Sequence, residues 1–535
     1  MSTSAGPTPD PVRPGTVRAG AGHPGAGRAG AGRFGPRIAV VGGGVTGLAA
    51  ALRLRDRAPA GSEITVYEQS AALGGKLSTG ELAGSAVEFG AEAFLVRDPT
   101  GADSAAVALA RRLGLGGDLV HPVVGRAAIV VGGELRPIPA GTLVGVPGDL
   151  AAVAAVARPA ADADRDGGRP LLGPDEDVAV GALVRDRLGD EVADRLVDPM
   201  LGGVYAGRAD DLSLAATMPA LARTARTEPT LTGAVRAALA AAPRTAGAPV
   251  FATVSGGLGR LVTAIEKALT DPAGAPAPAT GDLAGPADGD PTDPVDGGPQ
   301  PPGGPVRIRL GAAVRELSPT PTGWRLVVGP TRGAELVEAD AVLLALPARP
   351  AARLLAGLDT PAAGLVGALD YASVALVTLL LPPDAAGRLP ALSGFLVPAA
   401  ERTLIKAATF FTTKWGARPD GRVLLRASIG RYGEEQLLHR PDEELAATAH
   451  RELAGLLGGL PAPQASQVRR WGGALPQYRP GHLGRVATAR DRLRATHPTI
   501  ALAGAGYDGV GIPACVRSGE AAAEEIITSL GGWTA

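Results

Sequence analysis

The chain alternates short apolar runs with longer stretches in which apolar residues recur at helical spacing. The runs at 37–42 ("RIAVVG"), 63–68, 325–329 and 341–347 predict strands, because each is a short apolar segment bounded by turn or polar residues. Residues 178–198 place their apolar side chains at the period of a helix. Strands interleaved with helices predict an α/β fold.

Two segments break this pattern. Residues 1–36 are mainly Gly, Ala, Pro and Arg, and residues 271–305 contain six Asp and no Lys or Arg. Neither has enough apolar surface to order itself, so we expect a disordered tail and a disordered insertion. A chain of 535 residues is too long for one simple core, which predicts two or three domains. The interval 100–200 reads as mostly helical.

Overall charge and cysteine content exclude several functions. The formal net charge is −1, so no basic field indicates nucleic-acid binding. Apolar runs such as 372–381 are shorter than a membrane span, and the N-terminal region has no signal-peptide core. We therefore expect a cytoplasmic protein with at most peripheral membrane contact. A single cysteine, Cys515, excludes an intramolecular disulfide, and no metal site is predicted.

A dinucleotide-binding unit follows the first strand. Gly42, Gly44 and Gly47 form a GxGxxG motif between that strand and a helix predicted over 45–57, and a second strand ends at Glu68. The glycines allow a tight turn and close approach of a pyrophosphate. Glu68 is placed to accept hydrogen bonds from the ribose hydroxyls. The glycine pair in "LGGK", which precedes Lys76, is typical of flavoproteins, so the unit predicts FAD.

A second GxGxxG, at Gly504, Gly506 and Gly509, lies near the C-terminus. No strand ending in a ribose-binding acid follows it, so it is not a second nucleotide site. A helix predicted to begin near Ile512 or Pro513 would point its positive end at the flavin and favour the reduced anion. The two motifs are therefore predicted to bind opposite ends of one FAD.

With these residues in place, the chain resembles the FAD-dependent protoporphyrinogen/coproporphyrinogen oxidase family over about 37–530. The Gram-positive and actinobacterial type, which acts on coproporphyrinogen III, is the most similar. The resemblance rests on these stretches: "LRPIPAGTLVGVP" (135–147), "DPMLGGVYAGRADDLSLAATMP" (198–219), "VSGGLGRLVTAIEKAL" (254–269), "SGFLVP" (393–398), "IKAATFFTTKW" (405–415), "LLRASIGRYG" (424–433), "WGGALPQYRPGH" (471–482) and "GYDGVGIPACVRSGEAAAE" (506–524).

The resemblance implies an α/β fold like that of p-hydroxybenzoate hydroxylase and amine oxidases. It implies a Rossmann-type FAD domain, a mixed-sheet substrate domain and an inserted helical subdomain. The FAD domain is assigned to 37–94, 251–349 and 471–530, the helical subdomain to 95–204, and the substrate domain to 205–250 and 350–470. Non-covalent FAD contacts are implied for Gly42, Gly43, Gly44, Val45, Thr46, Gly47, Glu68, Gln69, Lys76, Gly90, Ala91, Glu92, Ala93, Val314, Trp471, Val510, Gly511 and Ile512.

The reaction that the resemblance implies is oxidation of a porphyrinogen, by three hydride transfers to the flavin and with oxygen as acceptor. The protein has to orient the substrate rather than supply a catalytic acid or base. The substrate's propionates need cationic partners. We predict Arg97 first, then Lys406 or Lys414, and similarly Arg426. Tyr205 and Phe395 are candidates to line the macrocycle, with core packing as their alternative.

Alternatives remain open at this stage. The substrate is predicted to be coproporphyrinogen III in heme biosynthesis, with protoporphyrinogen IX as the alternative. An amine oxidase, a carotenoid desaturase or a non-catalytic scaffold of the GDP-dissociation-inhibitor type shares the fold. Covalent flavin attachment would use Cys515, which we interpret instead as a packing residue, and His482 is predicted to be structural. Partners would be the tetrapyrrole, oxygen and, transiently, the next heme-pathway enzyme.

Overall fold

The computed structural model describes residues 35–242, 247–271 and 304–531. The predicted disordered segments, residues 1–36 and 271–305, lie almost entirely outside the described residues. The described body from residue 35 onward is one compact unit.

The strands are, in chain order, β1 Arg37–Val41, β2 Glu63–Tyr67, β3 Thr79–Leu82, β4 Ser85–Glu88, β5 Phe94–Leu95, β6 Leu119–Val120, β7 Ala127–Val131, β8 Glu134–Pro137, β9 Thr142–Leu143, β10 Val146–Pro147, β11 Phe251–Val254, β12 Arg307–Arg309, β13 Val314–Thr320, β14 Gly323–Val328, β15 Glu335–Ala339, β16 Ala341–Leu344, β17 Tyr371–Leu381, β18 Gly394–Leu396, β19 Ile405–Phe410, β20 Val423–Ile429, β21 Ala465–Pro476 and β22 Ile500–Leu502.

The α-helices are α1 Val45–Arg57, α2 Ala105–Arg112, α3 Val180–Leu188, α4 Asp190–Val192, α5 Asp198–Tyr205, α6 Leu214–Thr217, α7 Pro219–Ala225, α8 Leu231–Ala241, α9 Gly259–Thr270, α10 Ala348–Leu355, α11 Thr360–Gly367, α12 Phe411–Trp415, α13 Asp442–Leu456, α14 His482–Thr496, α15 Ala505–Asp508 and α16 Ile512–Leu530. A π-helical turn, Ala193–Val197, joins α4 to α5. Among the described residues, none of the helices is long and apolar enough to cross a membrane.

A five-stranded parallel sheet carries both glycine motifs. Its order is β12-β2-β1-β16-β22, and every neighbouring pair is parallel. The four strands predicted from apolar runs are all present, within three residues of the predicted ends. Because the strands are parallel, β1 and β22 end at the same edge of the sheet. The turns at Gly42 and Gly504 therefore leave the sheet side by side.

Helices α1 and α16 cover this sheet and approach each other closely. A Cβ at Gly47 would lie 1.9 Å from the carbonyl oxygen of Gly42, and one at Gly519 would lie 2.1 Å from that of Thr46. No side chain fits at either position without a backbone shift. Glycine is therefore required for α1 to pack against β1 and for α16 to pack against α1.

The second large sheet has seven strands in the order β21-β17-β20-β19-β18-β7-β8. All pairs are antiparallel except β7 with β18, so the sheet is mixed, as the resemblance implies. One face packs on α13 through a buried core that contains Phe395 and Phe410. The other face turns toward the loop at 89–93, which Arg426 of β20 contacts.

The prediction of a mostly helical interval over 100–200 is wrong for residues 119–147. These residues form β6 to β10, and the hairpin β7–β8 extends the seven-stranded sheet. Gly132 and Gly133, both at positive φ, form the hairpin turn, which was a local signal for paired strands. The helical part instead runs from α3 to α8, beyond the predicted boundary at residue 204.

Candidate functional site

The two glycine motifs meet directly at the carboxyl edge of the parallel sheet. A Cβ at Gly504 would lie 3.9 Å from the side-chain oxygen of Thr46, in the first turn of α1. Thr46 also hydrogen-bonds the thiol of Cys515, in the first turn of α16. Helix α16 begins at Ile512, where the sequence predicted it. The N-termini of two long helices therefore lie next to each other.

This junction has the features of a phosphate site. No side chain caps α1 or α16, so the first N–H groups of both helices lack side-chain acceptors. A Cβ at Gly44 would meet no atom within 4 Å, which leaves space directly above the turn. Lys76, half-buried nearby, has no carboxylate partner among the described residues, and burial lowers its pKa. An anion in this space would accept hydrogen bonds from the helix N-termini and pair with Lys76.

Glu68 lies beside the first glycine turn. Its carboxylate accepts hydrogen bonds from the N–H of Gly43 at 2.7 Å and of Ser70 at 2.8 Å. Its backbone carbonyl accepts from Ala312, two residues before the half-buried Val314. The structure thus brings Glu68 and Val314 to the site, whereas Gln69 is exposed.

The loop at 90–93 closes the other side. The N–H of Ala91 donates to the carbonyl of Lys76 at 3.0 Å, and the indole N–H of Trp471 donates to the carbonyl of Phe89 at 2.6 Å. A Cβ at Gly90 would lie 2.1 Å from the carbonyl oxygen of Lys76. Lys76, Gly90, Ala91 and Trp471, which are far apart in sequence, form one wall.

Glu92 joins this wall to the seven-stranded sheet through two ion pairs. Its carboxylate contacts the ammonium group of Lys414 at 2.5 Å and the guanidinium of Arg426 at 2.7 Å. Arg426 also donates to the carbonyl of Gly90 at 2.9 Å. Burial opposes ionisation of Glu92, but Arg426 and Lys414 outweigh it and hold its pKa below the usual value. Two cations therefore share one carboxylate here.

Arg97, the first predicted propionate partner, lies at the surface. Its side chain is 53% exposed and pairs with Asp103 at 2.9 Å, and Asp103 also pairs with Arg111. The structure does not bring Arg97 to the wall formed by Lys76 and Gly90, so its predicted contact with substrate stays a prediction.

Lys406 is buried between β19 and α5. Its ammonium group donates to the carbonyl of Gly202 at 2.9 Å. Burial, with smaller effects of Arg431 and Arg426, lowers its pKa to about 7. Lys406 is thus a buried amine without a carboxylate partner among the described residues.

The two aromatic candidates lie in different surroundings. Phe395 is 2% exposed and packs edge-on against Phe410, with ring centroids 5.8 Å apart. It belongs to the core beneath α13, which was its alternative position, and its contact with the macrocycle stays a prediction. Tyr205 ends α5 and packs edge-on against Tyr478 at 5.6 Å, and burial raises its pKa to about 12.

Cys515 and His482 are both buried. Burial raises the pKa of the Cys515 thiol, which opposes formation of a reactive thiolate. The His482 ring stacks on Tyr478 at 4.4 Å, and burial, assisted by Arg485, lowers its pKa to about 4. These positions agree with the packing and structural roles interpreted from the sequence.

The ion pairs of Glu92 were not foreseen, since the sequence interpretation used only its backbone. A signal was present in "VLLRASI", where an arginine interrupts an otherwise apolar, largely buried strand. A cation at such a position requires an acid nearby. Which acid supplies it depends on the tertiary fold.

Comparison with known proteins agrees with this geometry. Residues 45–278 and 294–527 match the family described as flavin containing amine oxidoreductase. The chain belongs to this family. Coproporphyrinogen III oxidase of Mycobacterium tuberculosis is 35% identical over 92% of this chain and 97% of its own length. The Bacillus subtilis enzyme of the same name is 29% identical over 92% and 98%, respectively.

Solved structures show the same fold. An Exiguobacterium protein, provisionally described as a protoporphyrinogen oxidase, aligns with a TM-score of 0.74 at 29% identity, over 92% of this chain and 99% of its own. Cyclohexylamine oxidase of Brevibacterium oxydans aligns with a TM-score of 0.60 at 15% identity, over 93% and 100%, and shows the fold alone. The protein is an FAD-dependent oxidoreductase of this family, and over most of its length it is similar to proteins named coproporphyrinogen III oxidase.

We expect Gly44→Val to abolish FAD binding without unfolding the protein. The added side chain enters space that meets no atom of the protein, so the fold is kept while the pyrophosphate is excluded. Flavin absorbance of the purified variant and its circular dichroism measure the two effects. Gly364→Val, at an exposed helical glycine with equal open space, is the control and should keep its flavin. A yellow Gly44→Val protein would overturn the assignment of this turn.

Burial of His482 also predicts a dependence of stability on pH. Its folded pKa of about 4 lies below the ordinary value near 6.5. Between about pH 6.5 and pH 4, His482 is therefore protonated in the unfolded chain but stays neutral in the folded protein. The free energy of unfolding falls as the pH drops through this range. The loss approaches ~3 kcal/mol.

The measurement is the free energy of unfolding in denaturant between pH 7 and pH 4.5, for the wild type and for His482→Gln. The difference between the two proteins isolates the imidazole from other titrating groups. Parallel pH profiles in both proteins would contradict a buried neutral histidine.

Proposed function

We propose that this protein oxidises coproporphyrinogen III to coproporphyrin III in heme biosynthesis, with FAD and oxygen. The substrate loses six electrons in three two-electron steps, and three molecules of oxygen become three of hydrogen peroxide. When bound, FAD accepts each electron pair from the substrate and passes it to oxygen. Relatives that cover almost the whole chain carry the name coproporphyrinogen III oxidase, and this likeness supports the proposal.

The structural observation that carries the proposal is the convergence of Lys414 and Arg426 on the loop at 90–93. Both cations are largely buried and share the carboxylate of Glu92, and the carboxylate of Glu88 also interacts with Arg426. Coproporphyrinogen III carries propionates where protoporphyrinogen IX carries vinyl groups. Two buried cations at this junction favour the more anionic substrate.

The chain's own residues then act by binding and orientation. Lys76 and the N-terminus of α1 would hold the FAD phosphates, and Glu68 would hold the ribose. The backbone at Gly90–Ala93 and at Val510–Ile512, where α16 begins, would hold the ring system. Trp471 covers the loop at 90–93 and, with the buried sheet face, excludes water. We place Lys414, Arg426 and Tyr205 beside the substrate.

The test offers coproporphyrinogen III and protoporphyrinogen IX separately to the purified holoenzyme. Both are prepared without oxygen, and porphyrin fluorescence is followed after air is admitted. We expect a higher kcat/KM for coproporphyrinogen III. A higher value for protoporphyrinogen IX would make that compound the preferred substrate instead. Oxidation of neither compound would refute porphyrinogen chemistry.

If Arg97 also receives a propionate, Arg97→Ala should raise KM more than it lowers kcat. Such a contact is made in both the ground state and the transition state. An exposed charge contact of about 1 kcal/mol corresponds to ~5-fold in KM. Arg111→Ala is the matched control, because Arg111 shares Asp103 with Arg97 and is 60% exposed. Identical kinetics in both variants would remove Arg97 from the site.

A further inference from the structure

A small cavity lies behind the second glycine motif, between α11, α14 and α15. Three of its lining side chains are deeply buried: Gln477 is 1% exposed, and His482 and Tyr507 are each 3% exposed. Each presents a polar atom that has no hydrogen-bond partner among the described residues, namely Gln477 Oε1, His482 Nε2 and the Tyr507 hydroxyl. Buried polar atoms are rarely left unpaired, and here three residues that carry such atoms line one cavity.

Gln477 contributes an acceptor. Its amide nitrogen donates to the carbonyl of Tyr205 at 2.8 Å and to that of Leu475 at 3.0 Å. Both amide hydrogens are used, so the orientation of the side chain is settled and the unpaired atom is the oxygen.

His482 contributes a second acceptor. Its ring hydrogen-bonds the backbone carbonyl of Tyr507, and Nε2 is the unpaired nitrogen, so Nδ1 carries the proton. Burial lowers its pKa to about 4, which keeps the ring neutral near pH 7. Nε2 therefore offers a lone pair.

Tyr507 contributes the donor, since burial raises its pKa and its hydroxyl keeps its proton. The cavity thus offers two acceptors and one donor. A water molecule matches this set, because it donates two hydrogen bonds and accepts one from the tyrosine. The space open to the centre of a water molecule is about 20 Å³, and about 10–15 Å³ is enough for one water.

Charged ligands fit less well. An anion would face the lone pairs of Gln477 and His482, and a cation would face Arg479 and Arg485, which also line the cavity. We propose that Gln477, His482 and Tyr507 form a binding site for one buried water molecule, which joins the 477–482 segment to the second glycine motif. This inference does not depend on the identity of the substrate.

The bound water would link three parts of the fold. Gln477 already contacts the end of α5 through Tyr205, His482 begins α14, and Tyr507 lies three residues after Gly504. The hydroxyl of Tyr478 donates to the carbonyl of Ala505 in the same region. The water would thereby hold α15 against the 477–482 segment.

The decisive variant is Tyr507→Phe, because the hydroxyl has no protein partner among the described residues. Without a water, the hydroxyl is a buried unpaired group, and its removal should raise Tm. With a water, its removal breaks a hydrogen bond and should lower Tm by ~1–2 °C in a protein of this size. The holoenzyme is used, and Tyr432→Phe, whose hydroxyl bonds Asp370 at the edge of the seven-stranded sheet, measures the cost of losing a hydroxyl with a known partner.

A crystal structure of the holoenzyme at high resolution gives the direct test. We expect an electron-density peak at hydrogen-bonding distance from Gln477 Oε1, His482 Nε2 and the Tyr507 hydroxyl, which disappears or shifts in Tyr507→Phe. Absence of such a peak, or a Tyr507→Phe protein with an unchanged or higher Tm, would overturn the site.

Discussion

The close approach of two glycine turns at one edge of the parallel sheet is the constraint on which the cofactor site depends. Gly47 lets α1 lie on the turn after β1, and Gly519 lets α16 lie on the first turn of α1. The N-terminus of each long helix carries a partial positive charge of about one half. Packing the two N-termini together is unfavourable without an anion, and the uncapped termini favour an anion at this junction.

The cofactor site also depends on the buried carboxylate of Glu92. Removing a carboxylate from water is costly unless cations replace the lost hydration. Arg426 supplies one from β20 of the seven-stranded sheet, and Lys414 supplies the other from α12, which follows β19. The ion pairs therefore do more than neutralise charge, because they attach the loop at 90–93 to the sheet that we assign to the substrate. The cofactor wall and the substrate surface share one electrostatic contact.

Behind this wall, polar groups are buried with little redundancy. The rings of Tyr205, Tyr478 and His482 pack against one another. Gln477 donates both amide hydrogens to backbone carbonyls. Such a network stabilises a single arrangement only if each remaining polar atom finds a partner. A water molecule in the cavity would complete it, and the orientation of α15 would then depend on that water as well as on packing.

The sequence by itself determined the elements whose signals are local. Short apolar runs predicted β1, β2, β14 and β16, and the glycine spacing predicted α1 and the start of α16 at Ile512, because backbone conformation and side-chain period are written in neighbouring residues. Tertiary structure decided the partners. Glu92 and Arg426 are 334 residues apart, and β7 pairs with β18 about half the chain length away, Ala127 with Gly394. Phe395 faces the core while Arg97 faces solvent. Contacts of this kind depend on which surfaces meet after folding, and no local pattern encodes that choice.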